Sequence, residues 1–204
     1  MTRVKVCGIR LREDALLAAE LGAWAVGFVF WPGSPRFIDP YRARTIAAAL
    51  PPWVVPIGVF VDQPDDYVAG VAGLVRLGAV QLHGSESAAA IARLRWRVIK
   101  SVPVGADFDI RRLDAVPARA TVLLDAHDPQ RHGGTGIRID WTMAGRAARH
   151  RPVLLAGGLR PENVRDAVQQ VQPHGIDVSS GVESAPGVKD HGRLRALFAE
   201  LRQA

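Results

Sequence analysis

Eight short runs rich in β-branched residues alternate along this chain with Ala/Leu/Arg segments of helical period, as expected when each parallel strand returns through a crossover helix. The runs fall at 4–7, 25–30, 54–61, 79–82, 98–101, 121–124, 153–156 and 176–179. Eight is the number that closes a ring of parallel strands. The pattern therefore reads as a single-domain α/β fold, a (β/α)8 TIM barrel over residues 1–204. That length is near the short end for the architecture, so its loops must be short. The alternative is an open doubly wound sheet, which would gather its ligand at one switch point instead of around a ring.

Between the runs, helices are expected at 12–21, 40–50, 64–77, 85–94, 141–149, 161–170 and 189–201. Pro40, Pro64 and Pro161 each suit a first helical turn, where a missing N–H costs nothing. The fifth crossover, 102–120, is the weak one, with room only for a short helix around 110–115.

A single cysteine excludes an intramolecular disulfide and a Cys-rich zinc cluster, which points to a reducing cytoplasm and to no structural metal. No basic segment leads into an apolar signal core, and no uninterrupted apolar stretch is long enough to cross a bilayer, so the chain reads as soluble, without a membrane partner. The formal charge of +6 comes almost wholly from arginine, since lysine occurs only at Lys5, Lys100 and Lys189. The arginines are scattered over many amphipathic segments rather than gathered in one stripe. They read as solvated helix faces with an anionic small molecule as ligand, and not as a nucleic-acid surface.

In a barrel of this kind, ligands meet the carboxyl ends of the strands. The residues there are Cys7, Arg36 in the loop after the second strand, His83, Asp125, the pair Gly157 and Gly158, and finally Ser179, Ser180 and Gly181. Cys7 is followed by Gly8, so a thiol stands where a strand stops and the backbone turns. The plain alternative is a small inert hydrophobe. Asp125 closes an apolar run, where lost solvation would favour the neutral carboxyl form that a general acid needs; a surface aspartate capping the next segment is the alternative. The glycines and serines after the last two strands suit a phosphate, because glycine lets the backbone approach an anion closely. A third stretch, Gly133-Gly134-Thr135-Gly136, adds Gly134 to that expectation.

Residues two apart on a strand share a face, so Lys5 points inward with Cys7, and Asp177 with Ser179. The first and eighth strands are neighbours in a closed barrel. Lys5 and Asp177 are therefore expected to form a structural ion pair inside it, with the cation also favouring the Cys7 thiolate.

Several ordered segments, Val4-Lys5-Val6-Cys7-Gly8-Ile9, Ser34-Pro35-Arg36, Gln81-Leu82-His83-Gly84, Leu123-Leu124-Asp125, Leu155-Ala156-Gly157-Gly158-Leu159 and Asp177-Val178-Ser179-Ser180-Gly181-Val182-Glu183 among them, run nearly the whole length. In these the chain resembles the phosphoribosylanthranilate isomerase family. The resemblance implies an Amadori rearrangement in tryptophan biosynthesis, from N-(5-phosphoribosyl)anthranilate to 1-(2-carboxyphenylamino)-1-deoxyribulose 5-phosphate. It implies Asp125 as acid on the furanose ring oxygen and Cys7 as base at ribose C2, without a cofactor. It implies Arg36 on the anthranilate carboxylate and a phosphosugar as the partner, with the protein a monomer or homodimer. Gln81 and His83 share strand parity and are expected to line the substrate. The segment His127-Asp128-Pro129-Gln130-Arg131-His132 is richer in titratable groups than the family pattern leads one to expect.

Three other readings stand beside this one. A related isomerase of histidine biosynthesis performs the same rearrangement but places an aspartate at the end of the first strand, where this chain has Cys7. A phosphosugar epimerase or aldolase on the same scaffold is the second, although this chain has no metal-ligand cluster and no lysine at the end of the sixth strand. A non-enzymatic basic scaffold that binds nucleic acid is the third.

Overall fold

Along a barrel strand, alternate side chains point to the axis and to the surrounding helices, so one strand serves two packing layers. In the computed structural model, which describes residues 2–105, 107–126 and 139–203, eight parallel strands close in sequence order. They are β1 (Arg3–Cys7), β2 (Ala25–Val29), β3 (Val55–Phe60), β4 (Ala79–Leu82), β5 (Arg97–Val104), β6 (Thr121–Ala126), β7 (Val153–Leu155) and β8 (Gly175–Val178). The helices are α1 (Arg12–Leu21), α2 (Pro40–Ala47), α3 (Asp65–Val75), α4 (Ala88–Arg93), α5 (Trp141–His150), α6 (Val164–Val171) and α7 (His191–Leu201).

The inner layer is small: Ala25, Ile57, Ala79, Ile99, Leu123, Leu154 and Ala156 form one buried cluster. Alternate residues such as Val26, Val80, Val98, Val122 and Ile176 belong to the larger cluster between strands and helices. Above the inner layer, toward the carboxyl ends, Cys7, Val29 and Val59 form a third cluster with Trp31 packed against it. The barrel is thus plugged by hydrocarbon through its middle. Polar groups on the same inward rows collect at one mouth.

Several element ends differ from the periodic reading. Asp125 lies inside β6 rather than after it, because β5 runs on to Val104 and keeps pairing with β6 as far as Ala126. Pro40 is the first residue of α2, capped by Asp39, whose carboxylate accepts from the Tyr41 N–H. Pro64 instead sits one place outside α3 as its N-cap, and Pro161 lies in a turn ahead of α6. Residues 85–87 are not helical; Ser87 caps α4. Lys189 is not part of the last helix. It belongs to a small hairpin of β9 (Glu183–Ala185) and β10 (Val188–Lys189) that follows a 3₁₀ turn at Ser180–Val182. The fifth crossover carries a 3₁₀ turn at Ile110–Leu113, where the other six crossovers carry an α-helix. Among the described residues no helix is long and apolar enough to cross a membrane.

The inner cluster leaves little room to relax when a side chain is shortened. Leu123, fully buried on β6, is expected to cost about 3 kcal/mol as Leu123→Ala, against under about 1 kcal/mol for Leu16→Ala on the half-exposed face of α1. Urea unfolding followed by circular dichroism checks the difference; equal midpoints would show that the axis of the barrel is not close-packed.

Candidate active site

β1 and β8 are hydrogen-bonded neighbours in a register that sets Lys5 opposite Asp177. Both side chains turn inward, and Lys5 Nζ donates to Asp177 Oδ2 at 2.7 Å with both groups buried. On the other side β2 sets Gly27 opposite Cys7. A β-carbon at Gly27 would stand 2.7 Å from the Cys7 Sγ and 3.1 Å from the Lys5 Nζ, so glycine leaves the space that the thiol and ammonium share. Gly8, with φ of +77°, turns the chain after the thiol, and a β-carbon there would press on the Arg36 side chain. Ser179 Oγ donates to the Cys7 carbonyl at 3.2 Å, tying the ends of β1 and β8 together.

Opposite these, β4 and β6 contribute a chain of polar groups. Gln81 Nε2 lies 3.0 Å from His83 Nδ1, and His83 Nε2 lies 3.2 Å from Asp125 Oδ2. The other Asp125 oxygen accepts from the Ala126 N–H at 2.8 Å. Polar partners thus surround this carboxyl group, where the sequence leads one to expect bare apolar walls. Gln81 Oε1 and Asp177 Oδ1 are buried and have no hydrogen-bond partner among the described residues.

Of these groups Cys7, Gln81, His83, Asp125, Asp177 and Ser179 line one cleft of about 720 Å³ at the carboxyl end of the barrel, together with Arg36, Gly157, Gly158 and Ser180. Gly157 and Gly158 both adopt positive φ, +83° and +64°. Gly181 lies just outside, where any β-carbon would run into the Leu159 carbonyl; the loops after β7 and β8 touch backbone to backbone there. Gly134, together with the histidine-rich segment 127–132, lies outside the described residues.

Arg36 is buried, and its guanidinium is gripped by Glu183: Nη2 donates at 2.7 Å and Nε at 3.0 Å. Glu183 also accepts from Lys189 Nζ at 2.7 Å. Burial opposes the Glu183 carboxylate, but these two cations outweigh it and hold its pKa below the usual value. Position after a strand does not point to Glu183 or Lys189; the signal that reaches Lys189, and through it Glu183, is the scarcity of lysine in the chain. Among the described residues no group of three or more His, Cys, Asp or Glu side chains is placed to hold a metal ion.

The thiol is under opposing influences. Burial pushes the Cys7 pKa up and is the stronger, while the Lys5 charge and hydrogen bond pull it down and Asp177 adds to the rise. For Lys5, burial disfavours the ammonium, but Asp177 and Cys7 more than offset this and the pKa moves up. The cleft therefore pairs an ionised lysine with a thiol that burial keeps protonated.

The family described as "PRAI: N-(5'phosphoribosyl)anthranilate (PRA) isomerase" matches residues 4–200. The N-(5'-phosphoribosyl)anthranilate isomerase of Geotalea uraniireducens is 50% identical over 204 residues, 99% of each chain. The crystal structure of phosphoribosyl anthranilate isomerase from Thermotoga maritima superimposes with a TM-score of 0.92 at 42% identity over the whole of both chains. A phosphoribosyl anthranilate isomerase solved with reduced 1-(o-carboxyphenylamino)-1-deoxyribulose 5-phosphate does so at 0.89 and 41%, again over both full lengths. With half the residues shared end to end and the fold superimposed over both full lengths, the chain belongs to the N-(5'-phosphoribosyl)anthranilate isomerases, enzymes of tryptophan biosynthesis.

Proposed function

We propose that the cleft rearranges N-(5'-phosphoribosyl)anthranilate to 1-(2-carboxyphenylamino)-1-deoxyribulose 5-phosphate, with Asp125 as general acid and Cys7 as general base. The observation that carries this is the meeting of one thiol and one carboxyl group, from strands on different sides of the barrel, in a single cleft. Asp125 gives a proton to the furanose ring oxygen, and the C1–O bond breaks to leave a protonated Schiff base. That cation is the electron sink for the next step. Cys7, as thiolate, removes the proton from C2, and the electron pair moves to the iminium nitrogen to form an enolamine. The Cys7 thiol then returns a proton to C1 and the Asp125 carboxylate takes one from the C2 hydroxyl, which completes the ketone and leaves Asp125 protonated again; the proton that Cys7 gave to solvent on ionising comes back as product leaves.

The raised thiol pKa is compatible with this role because a substrate cation forms beside Cys7 in the step before the thiolate is needed, adding to the pull of Lys5. Arg36, oriented by Glu183, supplies positive charge for the anthranilate carboxylate. The loops bearing Gly157, Gly158, Ser179, Ser180 and Gly181 take the phosphate. The bare acceptors Gln81 Oε1 and Asp177 Oδ1 suit the hydroxyls of the opened sugar chain.

Loss of substrate fluorescence measures turnover directly. Cys7→Ala and Asp125→Asn are each expected to lower kcat by roughly a hundredfold or more with modest change in KM, the usual scale of a lost acid or base. Full activity in either variant removes that residue from the mechanism.

Titration of the one cysteine by iodoacetamide rate against pH gives a separate check. In the empty enzyme the midpoint is expected above that of an ordinary exposed thiol, and higher still in Lys5→Met. Because Lys5→Met strands the Asp177 charge, the neutral pair Lys5→Met/Asp177→Asn serves as a second variant. Its midpoint should also rise, since Lys5 acts on the thiol more strongly than Asp177 does. A midpoint unmoved in both variants disproves the coupling.

A further inference from the structure

On β5 the inward Ile99 belongs to the axial cluster, while Val98 and Val102 pack outward against the helices. Lys100 falls on that outward, apolar row and is buried there. Removing an ammonium from water is costly, and a well-packed apolar residue of similar volume would hold such a position as well or better. Its contacts show what the cation reaches. Lys100 Nζ donates to the Gly84 carbonyl at 2.6 Å, to Glu86 Oε2 at 3.0 Å and to the Leu82 carbonyl at 3.5 Å. The two carbonyls belong to the residues immediately before and after His83.

Around them, the other backbone groups of the same turn are taken up. The His83 N–H donates to the Phe60 carbonyl at 2.8 Å. Glu86 accepts from the Gly84 N–H through both oxygens, at 3.1 Å for Oε2 and 3.2 Å for Oε1, and Oε1 also accepts from the Asp62 N–H at 3.0 Å. Asp62 in turn accepts from the Ser85 N–H and hydroxyl at 2.7 and 2.9 Å. A β-carbon at residue 84 would run into that Asp62 carboxylate, which is why glycine follows the histidine. The loop after β4 is thus fastened to the end of β3 and to the middle of β5. The one side chain it carries into the cleft at its start is His83, aimed at Asp125.

We propose that Lys100 and Glu86 are positioning residues for the His83–Asp125 contact, acting through the backbone of the turn at Gly84. The proposal rests on the cleft being the isomerase site. Lys100 sits behind the reacting groups and touches none of them. Its effect is to lock the carbonyls on both sides of His83, so that the imidazole keeps one orientation and one hydrogen-bonded tautomer toward the acid. A displacement of about 1 Å in such a group is enough to lower turnover by up to about a hundredfold.

The test compares wild type with Lys100→Met and with the neutral pair Lys100→Met/Glu86→Gln, in which the Gln carbonyl still accepts from the Asp62 and Gly84 N–H groups. Steady-state kinetics on N-(5'-phosphoribosyl)anthranilate are paired with the long-range proton–nitrogen spectrum of the His83 ring, assigned against His83→Asn. The expected result is a kcat lowered roughly tenfold or more with KM changed less than about threefold, and shifted His83 ring nitrogens, in a protein whose melting temperature stays near that of wild type. A folded neutral pair that keeps wild-type kcat and wild-type His83 resonances overturns the proposal. If the pair does not fold, Glu86→Gln alone, which retains Lys100, is read in the same way. A wild type without turnover would instead refute the isomerase reading, while the His83 spectrum still decides whether the clamp orients the ring.

Discussion

The Lys5–Asp177 ion pair on the axis of the barrel sets what can stand around it. A charge in that position is tolerable only with an opposite charge in contact, and removing one partner of a buried pair typically costs about 3–5 kcal/mol because the other is then stranded. The pair demands that β1 and β8 be neighbours in one register, which is a condition of closure. It also demands an absent side chain on β2. Gly27 meets that demand, and the same space admits the Cys7 sulfur. Closure of the sheet, placement of the ammonium and placement of the thiol are one constraint seen from three sides.

The three lysines extend the same logic. Lys5, Lys100 and Lys189 are 1%, 8% and 4% exposed, and each pairs with a carboxylate, Asp177, Glu86 and Glu183 respectively. Arginine carries the remaining positive charge. A compact ammonium on a flexible stem can reach carbonyls and a carboxylate from within a packed layer, whereas a planar guanidinium needs a wider slot. Arg36 is the buried exception described here, and it has such a slot: a carboxylate that meets it edge-on, and a glycine at position 8 that leaves room for its stem.

This explains which features could be read from residue order. The strict period of two along a strand makes inward faces predictable, so the sharing of a face by Lys5 with Cys7, and by Gln81 with His83, follows from counting. Element number follows from periodicity in the same way. Helix starts were less legible, because proline suits both the first helical position and the turn before it; Pro40 took the former, while Pro64 and Pro161 took the latter. Asp125 was displaced from loop to strand by the longer pairing of β5 with β6, an effect of two chains meeting that no single run displays. Glu183, Lys189 and Glu86 were hidden for a different reason. They lie on a small hairpin or in an irregular turn, where no period assigns a direction, and their partners are 147 positions away in one case and 14 in another.

The electrostatics of the cleft bear on the order of events there. Burial opposes the Cys7 thiolate more strongly than Lys5 supports it, so the empty cleft holds the sulfur as a thiol and avoids a second buried anion beside Asp177. An arriving substrate changes that balance only once its own nitrogen becomes cationic. In the mechanism proposed above, the acid step therefore comes before the base step, since proton donation by Asp125 creates the charge that stabilises the thiolate. Lys5 supports the thiolate only in part, since burial outweighs it and its ammonium is also paired with Asp177 at 2.7 Å.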